Sequence, residues 1–127
     1  MGAAGVPGAD AGSAFITGAA SGIGLGLARV LVQRGMQVWV ADRDAAACER
    51  TAAELRAAGG RAEALVFDVC DEAAFNAAFA SAWAQSGRID LLVNNAGIGA
   101  AADARDMTVA LWRRVVEVNL LGVMHGC

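Results

Sequence analysis

Four short stretches of this chain gather residue types that can hold a ligand. The first, TGAASGIG at residues 17–24, sets Gly18, Gly22 and Gly24 at intervals of four and two directly after a short apolar run. A side chain at any of these glycines would keep a diphosphate off the backbone, or the following helix off its strand. A helix opening near Ser21 presents unpaired N–H groups and the positive end of its dipole, which together favour an anion. Ser21 can cap that helix or bond a phosphate oxygen. The alternative is a glycine-rich tight turn with no ligand.

Asp42 follows Gly24 by eighteen residues, close to the offset at which an acidic side chain accepts hydrogen bonds from an adenosine ribose. Its carboxylate would oppose a 2′-phosphate by about 4 kcal/mol at roughly 4 Å in an effective dielectric of about 20, so NAD is favoured over NADP. Arg43 pulls the other way, since a guanidinium can stack on adenine or pair with a 2′-phosphate. Asp68 can accept from the exocyclic amine of an adenine while the Val69 backbone meets the ring edge. In Asn94-Asn95-Ala96-Gly97 the amides can tie neighbouring backbone, and Gly97 permits close approach of the chain. Solvated loop residues and plain turns are the competing readings at these positions.

Other reactive types lack company. Cys48, Cys70 and Cys127 are odd in number with no CxxC spacing, so they read as buried free thiols and not as a disulfide framework or a zinc site. His125 is the only histidine and reads as an ordinary helix residue, with no metal site around it. The chain contains no tyrosine and no lysine, so it offers neither a phenol nor an ammonium. Its arginines are dispersed and its net charge is -3, which argues against nucleic acid; Arg113-Arg114 reads as a solvated helix face. No apolar run approaches the ~18 residues of a membrane helix, so a soluble protein is expected. Residues 1–12 read as a flexible Gly/Ala tail without signal-peptide features, which makes the cytoplasm the default location.

The elements that must position these stretches alternate between short β-like runs and amphipathic helical lengths, the pattern of βαβ units. Residues 14–16 predict a first strand; Ile23, Leu27 and Leu31 then recur at helical spacing until Gly35. A second strand is expected at residues 36–41, followed by a helix capped by Asp44 with Cys48, Ala52 and Leu55 inward and stopped by Gly59-Gly60. A third strand at residues 62–67 precedes a helix capped by Asp71, with Phe75, Phe79 and Ala82 inward and Gly87 as terminator. A fourth strand is expected at residues 89–93, and a last helix, capped by Thr108, with Leu111, Val115 and Val118 as its apolar stripe. Right-handed crossovers make this a Rossmann-type α/β fold, a doubly wound parallel sheet in the order 3-2-1-4 with helices on both faces. All four polar or glycine stretches then fall at strand carboxyl ends, beside the crevice where the winding reverses.

With those motifs in place, the chain resembles the short-chain dehydrogenase/reductase family from about residue 13 to residue 127. TGAASGIG matches the family's TGxxxGIG, Asp42 the acidic residue of its NAD-preferring members, Asp68-Val69 its adenine-contact pair and Asn94 to Gly97 its NNAG. The resemblance implies a dinucleotide site lined by Gly18, Ser21, Gly22, Ile23, Gly24, Asp42, Arg43, Asp68, Val69, Asn95, Ala96 and Gly97. It also implies that Asn119, in VEVNLLGV, belongs to a proton relay; bonding main-chain groups in a distorted helix is the competing role. The family acts through a Ser and a Tyr-x-x-x-Lys motif downstream, passing a proton to or from an alcohol or ketone while hydride moves to or from nicotinamide. That motif, with the fifth strand and the substrate-choosing segment, is expected beyond Cys127.

The expectation is therefore the cofactor-binding, amino-terminal portion of an NAD-dependent oxidoreductase, one that alone would aggregate or fold only partly. A free-standing, non-catalytic nucleotide-binding module or pseudoenzyme is the alternative. By resemblance, the complete protein is expected to form homo-oligomers.

Overall fold

Residues 11–127 are described by a computed structural model, in which four parallel strands alternate with helices. Strands β1 (Ser13–Thr17), β2 (Gln37–Asp42), β3 (Arg61–Val66) and β4 (Leu91–Val93) stand in the expected order β3-β2-β1-β4. Helices α1 (Gly22–Gln33), α2 (Ala45–Ala57) and α3 (Glu72–Ser86) make the connections. Helix α4 (Val109–Val116) then runs through a π-helical turn (Glu117–Leu121) into α5 (Gly122–Gly126).

Strand alternation assigns the two layers. Ala14 and Ile16 of β1, with Val38 and Val40 of β2, face Ala28 and Leu31 of α1 and Cys48, Ala52 and Leu55 of α2. The intervening Phe15, Trp39 and Ala41 face Phe75 and Ala82 of α3 and Val118 of the π turn. Register reinforces this, because Phe15 lies level with Trp39 on one side and Leu92 on the other. Phe15 also stacks on Phe75 at a 5.9 Å centroid separation. All five residues of β1, a strand flanked on both edges, are buried, which is why its middle three, Ala14-Phe15-Ile16, are apolar without alternation.

The expected caps are in place. Asp44, Asp71 and Thr108 accept from Ala47, Ala74 and Leu111, the N–H three residues on in each case. Gly87 terminates α3 at φ 73°, where a Cβ would strain the backbone. Residues 1–10 of the expected tail lie outside the described residues, whereas Gly12 is buried and its carbonyl accepts from Gln37.

Four expectations are corrected. Ile23 does not join the apolar stripe of α1: it is 83% exposed, because α1 docks through Gly24, Ala28, Leu31 and Val32. The fourth strand starts at Leu91, two residues late, since the Asp90 carboxylate turns back to accept from the Ser13 N–H at 2.8 Å. The last helix is not uniform, as the π turn adds a residue to one turn at Asn119. Among the thiols only Cys48 is fully buried, with Cys70 half-buried and Cys127 exposed. Burial pushes the Cys48 thiol up to about 11, and it donates to the Val40 carbonyl, so it behaves as a small packing group.

Candidate functional site

The glycine turn, Asp42 and the Asn95 segment converge on the end of β1. The chain leaves that strand at Gly18 with φ 65° and enters α1 at Gly22 with φ 55°, both in the left-handed region. At Gly18 a Cβ would stand 2.9 Å from the Ala96 Cα, and at Gly24 it would fall on the Gly18 carbonyl oxygen and lie 2.5 Å from the Asn95 Nδ2. At Gly22 it would meet no protein atom. Gly18 and Gly24 thus let two segments close on each other, while Gly22 leaves open space on the turn.

Ser21 sits at the N-cap of α1 in extended conformation, yet its exposed side chain caps nothing. The first-turn N–H groups of α1 are left without a side-chain acceptor, unlike those of α2, α3 and α4. A dipole end of that kind, on a glycine turn with open space beside it, fits a diphosphate.

Thr17 is the junction of the site, and sequence reading gave it no role of its own. Its buried hydroxyl accepts from the Asn95 and Ala96 N–H groups, each at 3.0 Å, and donates to the Val93 carbonyl at 3.3 Å. Asn95 completes the tie, its amide donating to the Thr17 carbonyl at 3.1 Å and the Gly18 carbonyl at 3.2 Å. The tie to neighbouring backbone expected of the NNAG amides is made by Asn95, whereas the Asn94 Oδ1 is buried without a hydrogen-bond partner.

Asp42, at the end of β2, grips the turn directly. One carboxylate oxygen accepts from the Ala20 N–H and the other from the Asp44 N–H, both at 3.1 Å. Each carboxylate oxygen has a second lone pair, so a ribose hydroxyl can still donate to it. Arg43 is exposed beside it on the rim.

Asp68 follows β3. Its Oδ1 accepts from the Cys70 N–H at 3.0 Å, and its Oδ2 takes the Arg114 guanidinium at 3.1 Å. Burial alone would raise the Asp68 carboxyl, but the hydrogen bonds from Cys70 and Arg114 outweigh it and hold the group below its ordinary value. This corrects the reading of Arg114 as part of a solvated face. No local pattern announces the pairing, because 46 residues separate the partners. Val69 is nearly buried, and its carbonyl meets the His125 Nδ1 at 2.7 Å.

Asn119 reaches the site from the helix. Its amide oxygen accepts from the Ile98 N–H at 2.9 Å and its nitrogen donates to the Ile98 carbonyl at 2.8 Å. A Cβ at Gly97 would stand 3.4 Å from that oxygen. The side chain therefore fixes the loop after NNAG, with the π turn setting it at the right height.

These elements enclose one cleft of about 330 Å³ that reaches from Asp42 and Asp68 across Gly18 and Gly22 to Gly97 and Ile98. All twelve expected cofactor contacts lie on the cleft or its glycine turn, with Gly24 beneath the turn. The size is that of a small-molecule site, and the lining fits a dinucleotide: a bare-backbone anion cradle in the middle and a carboxylate at each of two neighbouring strand ends. Among the described residues no cluster of His, Cys, Asp or Glu could hold a metal ion.

Comparison with known proteins gives a consistent result. The profile of the family described as short chain dehydrogenase matches residues 13–127. The cis-4-hydroxycyclohexanecarboxylate dehydrogenase of Sinomonas cyclohexanicum is 45% identical over 111 residues, 87% of this chain and 44% of that protein. A short chain dehydrogenase/reductase from Burkholderia phymatum, solved in complex with NAD, superposes with a TM-score of 0.88 at 38% identity, over 91% of this chain and 41% of that one. The 3-ketoacyl-(acyl-carrier-protein) reductase of Brucella melitensis, solved with NADH, gives 0.84 at 39% identity, over 91% and 46%. The chain thus spans less than half the length of the relatives it matches.

Proposed function

Because the chain belongs to the short-chain dehydrogenase family, we propose that its cleft holds NAD and serves hydride transfer between nicotinamide and an alcohol or ketone. The glycine turn carries this reading: at Gly18 and Gly24 the backbone is packed too closely for a Cβ, and at the head of α1 the N–H groups are left without a side-chain cap. The first turn of α1, with Ser21, binds the diphosphate. Asp42 accepts from the adenosine ribose and opposes a 2′-phosphate, so NAD is preferred over NADP. Asp68 and the Val69 backbone read the adenine, and Asn95, Ala96 and Gly97 form the wall leading towards the nicotinamide.

When bound, the nicotinamide supplies or accepts the hydride. The residues of this chain orient it and shield one side of the cleft. Asn119 holds the Ile98 backbone at the inner end and takes part in the proton path through its position. Tyrosine and lysine are absent from these 127 residues, so a phenol acting on the substrate oxygen is not among their contributions. The apolar row on α4 and the turns after it, from Val109 and Trp112 to Val116 and Leu120, is exposed and is proposed to pair with a second copy of the chain. No described helix is long and apolar enough to cross a membrane, and a cytoplasmic location suits the reading.

Calorimetric titration of the purified protein with NAD and NADP tests it. One saturable site that prefers NAD, with the preference reduced by Asp42→Ala, is expected. Equal affinities for the two dinucleotides in the unmodified protein would refute the Asp42 assignment, and no saturable binding of either would refute the site.

A further inference from the structure

The carboxylate of Asp68 faces the cleft but is not free within it. Arg114, from the middle of α4, places one guanidinium nitrogen 3.1 Å from the Asp68 Oδ2 and the other 3.3 Å from the Cys70 Sγ. Both arms of the fork are thereby turned towards the loop after β3. The Cys70 N–H holds the second oxygen of Asp68, so the carboxylate plane is fixed from two sides.

The same helical rod grips the next residue as well. A Cβ at Gly122 would come 2.7 Å from the Val69 Cγ2, which shows how closely α5 packs there, and His125 meets the Val69 carbonyl. Through Asn119 the rod also holds Ile98 at the other wall of the cleft. One helix therefore braces the loop assigned to adenine and the loop leading to nicotinamide.

We propose that Arg114 is a positioning residue for base recognition: by holding the Asp68 carboxylate in one orientation, it makes this site select a purine that bears a 6-amino group. The inference rests on the reading of the cleft as a dinucleotide site. Two carboxylate oxygens offer about four acceptor positions, of which Cys70 and Arg114 take two, leaving room for the amine. Without the guanidinium the half-exposed carboxylate keeps only the Cys70 N–H bond, its Oδ2 hydrates, and part of the cost of ordering it falls on ligand binding. Arg114 needs no contact with the ligand to act in this way.

The test compares NAD with nicotinamide hypoxanthine dinucleotide, which has an oxygen where adenine has its amine. Affinities of both are measured calorimetrically for the unmodified protein, Arg114→Met and Arg114→Lys. The unmodified protein is expected to prefer NAD by about tenfold or more, as a hydrogen bond to a charged acceptor implies. In Arg114→Met the preference should fall several-fold, with Arg114→Lys retaining most of it. A merely structural role weakens both dinucleotides alike and leaves their ratio unchanged, and that outcome overturns the proposal while the dinucleotide site stands. Failure of the unmodified protein to bind either compound overturns both. Should Arg114→Met fail to fold, the same ratio measured in Arg114→Ala, which also leaves no donor, decides: a preserved ratio overturns the proposal and a diminished one supports it.

Discussion

Replacing Thr17 by valine probes the junction of the site with little change of shape. The hydroxyl makes three hydrogen bonds, accepting from Asn95 and Ala96 and donating to Val93, and the residue is 2% exposed. At about 1 kcal/mol net for each bond, their loss amounts to about 3 kcal/mol. The added methyl group returns at most ~0.8 kcal/mol of burial, so a net destabilisation of about 2 kcal/mol is expected. Serine at the same position keeps the oxygen and loses only a methyl group, for about 1 kcal/mol or less. Urea unfolding followed by circular dichroism gives the three stabilities, and calorimetry gives the NAD affinities. Affinity should fall further in Thr17→Val than in Thr17→Ser, because the hydroxyl joins the glycine turn to the Asn95–Gly97 wall. If Thr17→Val lies within ~0.5 kcal/mol of the unmodified protein, or if serine is the more damaging substitute, the hydroxyl is not the junction described.

The other predictions are as direct. Gly24→Ala sets a methyl group against the rigid Gly18 carbonyl and should destabilise by about 1–3 kcal/mol and weaken NAD binding at least about tenfold, measured by the same two assays. In Gly22→Ala the methyl group meets no protein atom, and the cost is confined to the left-handed backbone, about 1–2 kcal/mol. Asp90 is held below the ordinary carboxyl value by hydrogen bonding from Arg88 and then from the Ser13 N–H. A depressed folded value means that its stabilisation is complete above the unfolded pKa near ~3.9 and is lost as the pH falls through the lower folded value. The stability gap between the unmodified protein and Asp90→Asn should therefore be constant at neutral pH and close below about pH 4; a gap independent of pH counts against the charged role. Trp112→Glu, on the exposed row of α4, should lower the mass measured by light scattering from that of an oligomer towards that of a monomer, and an unchanged mass would remove this face from the interface.

Recognition of the fold rests on features that act over a few residues. Asp44, Asp71 and Thr108 each cap a helix through the N–H three residues on, so side chain and acceptor site are fixed within one turn. Right-handed crossovers leave few strand orders to consider, and the glycine, aspartate and NNAG stretches fall at strand ends because helical and strand periods count them there. Ile23 shows the limit. Its spacing from Leu27 and Leu31 is helical, but spacing does not say that the first turn of α1 rises above the sheet, and there the side chain enters the cleft rim.

Residue type, period and short-range hydrogen bonding are enough to read the alternation of strands and helices, the four stretches at one edge of the sheet and the lack of a phenol or ammonium. What those stretches do to one another rests on contacts between segments far apart in the chain. Thr17 meets Asn95 across 78 residues, Arg114 meets Asp68 across 46, and Asn119 meets Ile98 through an inserted π turn. Such pairings depend on how each helix is rotated and seated on the sheet, which packing of the whole core sets and no local pattern encodes.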